Sequence, residues 1–184
     1  MMILMPLLFN IGIMKRLYIS LILLGVFIVA FGQDQNKSFT IYLVRHSEKV
    51  IDKNNLKDPP LTQCGEERSE SLALFFSNIE MDRIYSTDYI RTKNTALPTA
   101  KAKNLEIEIF DASKLEELLA LIMERGEDVL IVGHSTTTPV LAGLLIGKEM
   151  GSINERIYNR IYQVTISDKK GKLNIFHTSF ECKN

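Results

Sequence analysis

Short, β-branched-rich apolar runs alternate with amphipathic stretches through most of this chain, and that alternation restricts the fold more than any other feature. Residues 39–44 and 129–132 are compact and bounded by polar or Gly residues, as buried strands are. Ile84 with Tyr85 and residues 107–110 are shorter runs of the same kind. Between them lie helical patterns. Leu115, Leu118, Leu119, Ile122 and Met123 fall at helical spacing, with Ser113 and Glu116 spaced as a capping box and Gly126 placed to end the helix. Thr62 predicts the cap of a helix carrying Leu72, Phe75, Phe76 and Ile79 on one face, after Pro59 and Pro60 hold the chain extended. Thr138 and Pro139 read as cap and first turn of a helix through Val140, Leu141, Leu144 and Leu145, closed by Gly147. A further helix from about Asp88 to Lys101 contains Pro98, whose missing N–H predicts a kink or restart near Leu97. Finally, Tyr162, Val164 and Ile166 alternate, residues 168–171 supply a turn and residues 173–176 a last strand. The pattern predicts an α/β fold, a three-layer sandwich with a mostly parallel central sheet flanked by helices and a hairpin at the end. Neither an internal repeat nor a second domain is visible.

Charge narrows the ligand. The 22 basic and 22 acidic side chains cancel, so no general attraction for nucleic acid or anionic lipid is expected, and any positive field is local. That favours a small anionic ligand over a polyanion. Residues 1–32 depart from the remainder. Lys15 and Arg16 precede an apolar run over residues 17–31, and Ala30, Phe31 and Gly32 put small residues where a signal peptidase reads them. The reading is a signal peptide starting at Met14 and cleaved before Gln33, with an uncleaved N-terminal anchor as the alternative. The protein is then exported, periplasmic or extracellular, with contact to a membrane only if the segment is retained. Residues 33–184 form the single remaining domain. The two cysteines, Cys64 in a predicted helix and Cys182 in the tail, are expected to be separate thiols.

In open parallel sheets ligands bind beyond the carboxyl ends of the strands. Here the first strand runs into Arg45, His46, Ser47, Glu48 and Lys49, the second into Ser86, Thr87 and Asp88 followed by Arg91, and the fourth into Gly133, His134 and Ser135. Two of the three histidines and two arginines therefore converge on one rim. A guanidinium fork matches phosphate oxygens, and two of them can hold a phosphoryl group and then the charge of its transition state. A neutral imidazole can be the nucleophile, and neighbouring arginines disfavour its protonation. Backbone donors around Thr138, at a helix N-terminus, are expected to face the same anion.

The segments LVRHSEK, DPPLTQCGEERSESLALF, IYSTDYIRTKNTA and VGHSTTTPVL, in that order, resemble the histidine phosphatase superfamily, which also contains cofactor-dependent phosphoglycerate mutases. The resemblance spans about Ile41 to Ile146 and is nearest to small bacterial members with an RHSEK-type or RHAEK-type opening, including phosphohistidine phosphatases. It implies that His46 is transiently phosphorylated, that Arg45 and Arg91 bind the phosphoryl group, and that His134 donates to its oxygens. Thr136 stands where these relatives carry Asn in a GHSNT form. The longer insertion in which mutase-like members keep a catalytic Glu has no room after Arg91, which favours hydrolysis over mutase chemistry. Asp111 and Glu48 are the candidate general acids, with Glu48 more simply read as ordering the His46 loop. Residues 50–58 are expected on the pocket rim. No cofactor is implied. Zinc is not expected, because no His or Cys pair has ligand spacing. The expected partner is a small phosphorylated substrate.

Two other readings fit some residues. A noncatalytic module could use the same pocket to bind a phosphorylated ligand. A serine hydrolase could use Ser135 as nucleophile, with Asp168 and His177 following in the order of those enzymes, although Thr137 replaces the Gly that a nucleophile elbow needs. His177 is otherwise read as structural, and Asp88 as a helix cap.

Overall fold

Alternate residues of a strand face opposite sides of its sheet, and the two apolar surfaces this creates are what the helices cover here. The computed structural model describes residues 15–16, 38–51 and 57–182. Its elements run β1 (Phe39–Arg45), α1 (Gln63–Phe75), β2 (Arg83–Thr87), α2 (Ile90–Lys103), β3 (Ile107–Phe110), α3 (Leu115–Arg125), β4 (Val129–Gly133), α4 (Thr138–Ile146), β5 (Arg160–Ser167) and β6 (Lys170–His177). The strands form one sheet in the order β3-β2-β4-β1-β5-β6. The pairs β3 with β2, β2 with β4 and β4 with β1 are parallel. β5 then joins β1 antiparallel, and β6 closes the hairpin on β5. Ile41, Leu43, Val129 and Ile131 enter a core with Leu118, Ile122, Leu141 and Leu145 of α3 and α4. Tyr42, Val44, Leu130 and Val132 meet Leu72, Phe76, Ala96 and Ala100 on the side of α1 and α2. Each large side chain buried this way contributes about 1.5–3 kcal/mol. The three-layer α/β arrangement is the one the alternation predicts.

Several local expectations change. α2 runs unbroken through Pro98 from Ile90 to Lys103, two residues later at each end than predicted. Pro98 removes one bond from the ladder, but Thr95, Ala96, Thr99 and Ala100 around it are buried, and tertiary packing outweighs that loss. Ser113 is no cap: Lys114 occupies that position without a side-chain bond, while the Ser113 hydroxyl donates to Asp111 Oδ1 at 2.7 Å. Asp88 likewise pairs with Lys93 instead of capping α2. Thr62 does cap α1, its Oγ1 accepting from Gly65 N at 3.0 Å. Gly126 and Gly147 close α3 and α4 in the left-handed conformation, at φ 60° and 66°.

The cysteines are joined. Cys64 and Cys182 form a disulfide with their Cα atoms 5.6 Å apart, against the expectation of separate thiols. Sequence distance concealed this, because the chain after β6 returns across α1. There Arg68 Nη1 donates to Phe180 O at 3.1 Å and its guanidinium lies over the Phe180 ring. Residues 1–32, predicted as signal peptide or anchor, lie outside the described residues apart from Lys15 and Arg16. Among the described residues no helix is long and apolar enough to cross a membrane.

Candidate active site

Register brings the strand ends to one level. Arg45 pairs with Gly133 and Ser86 with Val132, and the His46 amide extends the ladder by donating to Gly133 O at 2.9 Å. His46 and His134, which follow these ends, have ring centroids 5.5 Å apart. Because β5 is antiparallel to β1, its first residues also lie at this end, where Val44 pairs with Ile161. The loop leading into β5 therefore reaches a site assembled mainly by the parallel strands.

His46 is buried, with 3% of its surface exposed. Its Nδ1 lies 2.7 Å from Ser47 O. A carbonyl only accepts, so Nδ1 carries the proton and Nε2 keeps its lone pair. Burial lowers its pKa from 6.5 to about 3, reinforced by Arg45, His134 and Arg91 against the opposing Ser47 bond. Beneath it, the Ser47 amide donates to Thr95 Oγ1 at 2.9 Å, and Ser69 Oγ bonds both Ser47 Oγ and Gly65 O. These contacts hold the loop that carries the imidazole.

His134 Nε2 lies 3.0 Å from Thr87 Oγ1, and its amide donates to Thr137 Oγ1 at 2.8 Å. Gly133 makes that turn possible, since a Cβ there would stand 2.6 Å from Thr137 Oγ1. Burial, then Arg91, Arg45 and Lys49, lower the His134 pKa to about 4, with Asp58 acting the other way.

The arginines are fixed by partners that sequence reasoning missed. Arg45 Nη1 donates to the carbonyls of Glu155 and Ile157, and its guanidinium sits 4.2 Å from the Tyr158 ring centroid. Arg91 Nη1 donates to Asp58 Oδ1 at 3.2 Å and stacks 4.2 Å from the Tyr89 ring. Asp58 also accepts from Ile90 N through both oxygens, at 3.0 and 2.9 Å, and so caps α2. The Nε atoms of Arg45 and Arg91 are buried without a partner among the described residues. Buried donors of this kind call for an acceptor, and an oxyanion is an acceptor that matches a guanidinium group.

The candidate acids fare differently. Glu48 is gripped by Arg68, whose Nε lies 3.0 and 2.9 Å from its two oxygens and whose Nη2 donates at 2.7 Å. It orders the His46 loop. Asp111 stands at the end of β3, the sheet edge, exposed, with Oδ1 accepting from Ser113 N and Ser113 Oγ. Those bonds hold its pKa below the usual value, the reverse of what a general acid needs. The amides of Thr137 and Thr138 both donate to His134 O at 3.1 Å, so they are not the free donors expected there. Nor does a serine triad assemble. Asp168 follows β5, where Phe39 pairs with Ile166 at the start of β1, the opposite end of the sheet from Ser135. His177 lies on the far edge strand. The segment 50–58 reaches the rim through Asp58, while residues 52–56 lie outside the described residues.

Comparison with known proteins converges on one family. A model of the histidine phosphatase superfamily (branch 1) matches residues 41–118. Phosphoserine phosphatase 1 of Hydrogenobacter thermophilus is 41% identical over 71 residues, 36% of this chain and 34% of that protein. The fructose-2,6-bisphosphatase TIGAR of Xenopus tropicalis is 28% identical over 118 residues, 61% of this chain and 39% of its own. The chain thus spans between a third and two fifths of these relatives. Among solved structures, the protein histidine phosphatase SixA complexed with tungstate superposes with a TM-score of 0.63 at 21% identity, covering 76% of this chain and 97% of that one. At that identity the likeness establishes the fold.

Proposed function

We propose that the chain is a member of the histidine phosphatase superfamily, whose model matches residues 41–118, and that it hydrolyses a small phosphorylated substrate through a phosphohistidine intermediate on His46. The observation that carries this reading is the buried His46, held as the tautomer with a bare Nε2 within the field of Arg45 and Arg91, whose buried Nε atoms have no partner among the described residues. Arg45 and Arg91 bind the phosphoryl oxygens and balance the charge that spreads over them in the transition state. The Nε2 lone pair forms a bond to phosphorus while the bond to the leaving group breaks. Water then attacks the phosphohistidine, the P–N bond breaks, and Nε2 recovers its lone pair as phosphate leaves. SixA, which shares the fold, was solved with tungstate, an oxyanion of phosphate's shape, and a ligand of that kind suits the guanidinium groups of Arg45 and Arg91. The phosphatase names of the curated relatives support the reaction class. They do not select a substrate, because their activities differ from one another.

Export is part of the same proposal. The apolar run after Lys15 and Arg16 supports it, as does the Cys64–Cys182 bridge, since disulfides persist in oxidising compartments.

The test is hydrolysis of a generic aryl phosphate by the wild type and by His46→Ala. The wild type is expected to turn over and to accumulate acid-labile phosphate on His46, with kcat/KM falling at least about 1,000-fold in the variant. A wild type that binds phosphate without turnover is a binding module. Activity that survives His46→Ala but disappears with Ser135→Ala sinks the assignment.

A further inference from the structure

The two histidines of the pocket are held in opposite tautomers, and the second is set by a chain of hydroxyls. Thr92 Oγ1 lies 2.9 Å from Thr87 O and 2.9 Å from Tyr89 O. Carbonyls only accept, so the single Thr92 hydroxyl proton is spent on one of them. Thr92 must then accept from Thr87 Oγ1, 3.0 Å away. That uses the only Thr87 hydroxyl proton, and Thr87 Oγ1 is left to accept from His134 Nε2 at 3.0 Å. Thr87 and Thr92 are about 1% exposed or less, so water does not compete for these bonds.

Neutral His134 therefore carries its proton on Nε2 and presents a bare Nδ1, which has no hydrogen-bond partner among the described residues. A lone pair repels the oxygens of an anion. We propose that Thr87 is a positioning residue that locks His134 in its Nε2–H tautomer, so that His134 binds an oxyanion only as the imidazolium and the site takes up one proton with the anion. This rests on the reading of the pocket as a phosphoryl site. The proton comes from solvent and ends on Nδ1, and no bond to phosphorus is involved.

The surroundings agree. Arg91 from α2, Arg45 from β1 and Lys49 from the following loop oppose a charge on His134, Asp58 favours one, and His46 and Tyr89 pack against the ring. Without an anion those cations keep the imidazole neutral, its pKa depressed to about 4. A dianion bound by the arginines cancels their field and removes that obstacle.

The chain holds only three histidines, so nitrogen-15 NMR of the full chain labelled at histidine resolves each ring. With no anion at neutral pH, His134 is expected with a protonated Nε2 and a bare Nδ1. On adding tungstate, which does not itself titrate near neutrality, both nitrogens are expected to become protonated, and calorimetry in two buffers is expected to register close to one proton taken up per anion. In His46→Gln the uptake persists, placing it on His134. In Thr87→Val the ring is free to move its proton to Nδ1 and the uptake is lost, whereas Thr87→Ser retains it. The proposal is overturned by a free His134 protonated on Nδ1, by a ring that stays neutral or unchanged with tungstate, or by uptake that vanishes with His46→Gln. The wild-type spectra decide the matter even if Thr87→Val fails to fold. Aryl phosphate hydrolysis tests the phosphatase reading separately, since the free-ring tautomer is read without turnover.

Discussion

At the scale of the residue, His46 shows how burial and charge act together on one imidazole. Burial is the larger cause of its depressed pKa, and the arginines add to it. An ordinary histidine nucleophile loses its lone pair to protonation as pH falls through 6.5. His46 keeps its own to about pH 3. The kcat/KM profile of the wild type on an aryl phosphate is therefore expected to show no acid limb near pH 6.5 from this group, and a limb there that disappears in a His46 variant would contradict it. Glu48 and Arg68 make a second residue-scale case. Their side chains are 17% and 7% exposed and joined by a forked pair. Breaking such a pair strands a buried charge and costs about 3–5 kcal/mol, a figure the partial exposure of Glu48 reduces. Arg68→Ala is expected to lower the denaturation midpoint clearly and Glu48→Gln less, because the amide still accepts from the guanidinium.

Among the elements, the two helices of one layer carry the site on their N-terminal ends. α1 approaches the His46 loop so closely that a Cβ on Gly65 would overlap the Glu48 carbonyl, which also accepts from Thr62 N at 2.9 Å. Gly65→Ala is expected to cost about 1–3 kcal/mol and to weaken oxyanion binding, read by chemical denaturation and tungstate titration. α2 depends on Asp58, a residue outside its own sequence, for its cap and for the set of Arg91. Asp58→Ala is expected to cost about 1 kcal/mol in stability and to raise KM for an aryl phosphate. An unchanged KM would show that Arg91 is held by its stack on Tyr89 alone. Helix periodicity and the closing glycines were legible in the sequence, whereas the caps at Ser113 and Asp88 were not, because capping needs a geometry and not only a spacing.

For the whole molecule, the bridge from Cys64 to Cys182 closes a loop with a sequence separation of 118. On the chain-entropy model a loop of that length stabilises by up to about 5 kcal/mol. Reduction, or Cys182→Ser, is expected to lower the unfolding free energy by several kcal/mol, measured in denaturant with and without reductant. Acid acts globally too. The folded pKa values of His46 and His134, about 3 and 4, lie below the unfolded value near 6.5. Between those limits the unfolded chain binds more protons, so stability is full above pH 6.5 and declines as pH falls toward 3. The slope is at most about 1.4 kcal/mol per pH unit for each histidine. His134→Gln is expected to flatten the decline.

What the sequence by itself determined was the set of strands, their order of use along the chain, and the placement of Arg45, His46 and His134 at strand ends and of Arg91 at a helix start. Apolar periodicity and strand-end position are local properties, so they can be read without a fold. Only the tertiary structure decided which distant groups meet these four. Glu155, Ile157 and Tyr158 reach Arg45 because β5 runs antiparallel beside β1. Asp58 reaches Arg91 because the loop before α1 folds onto the start of α2. Cys182 reaches Cys64 because the tail doubles back over α1. Asp111 and Asp168 fail to join the site for the complementary reason, since each ends on an edge or at the opposite end of the sheet. Contacts of that separation depend on strand order and direction, which the whole chain sets and no single segment records.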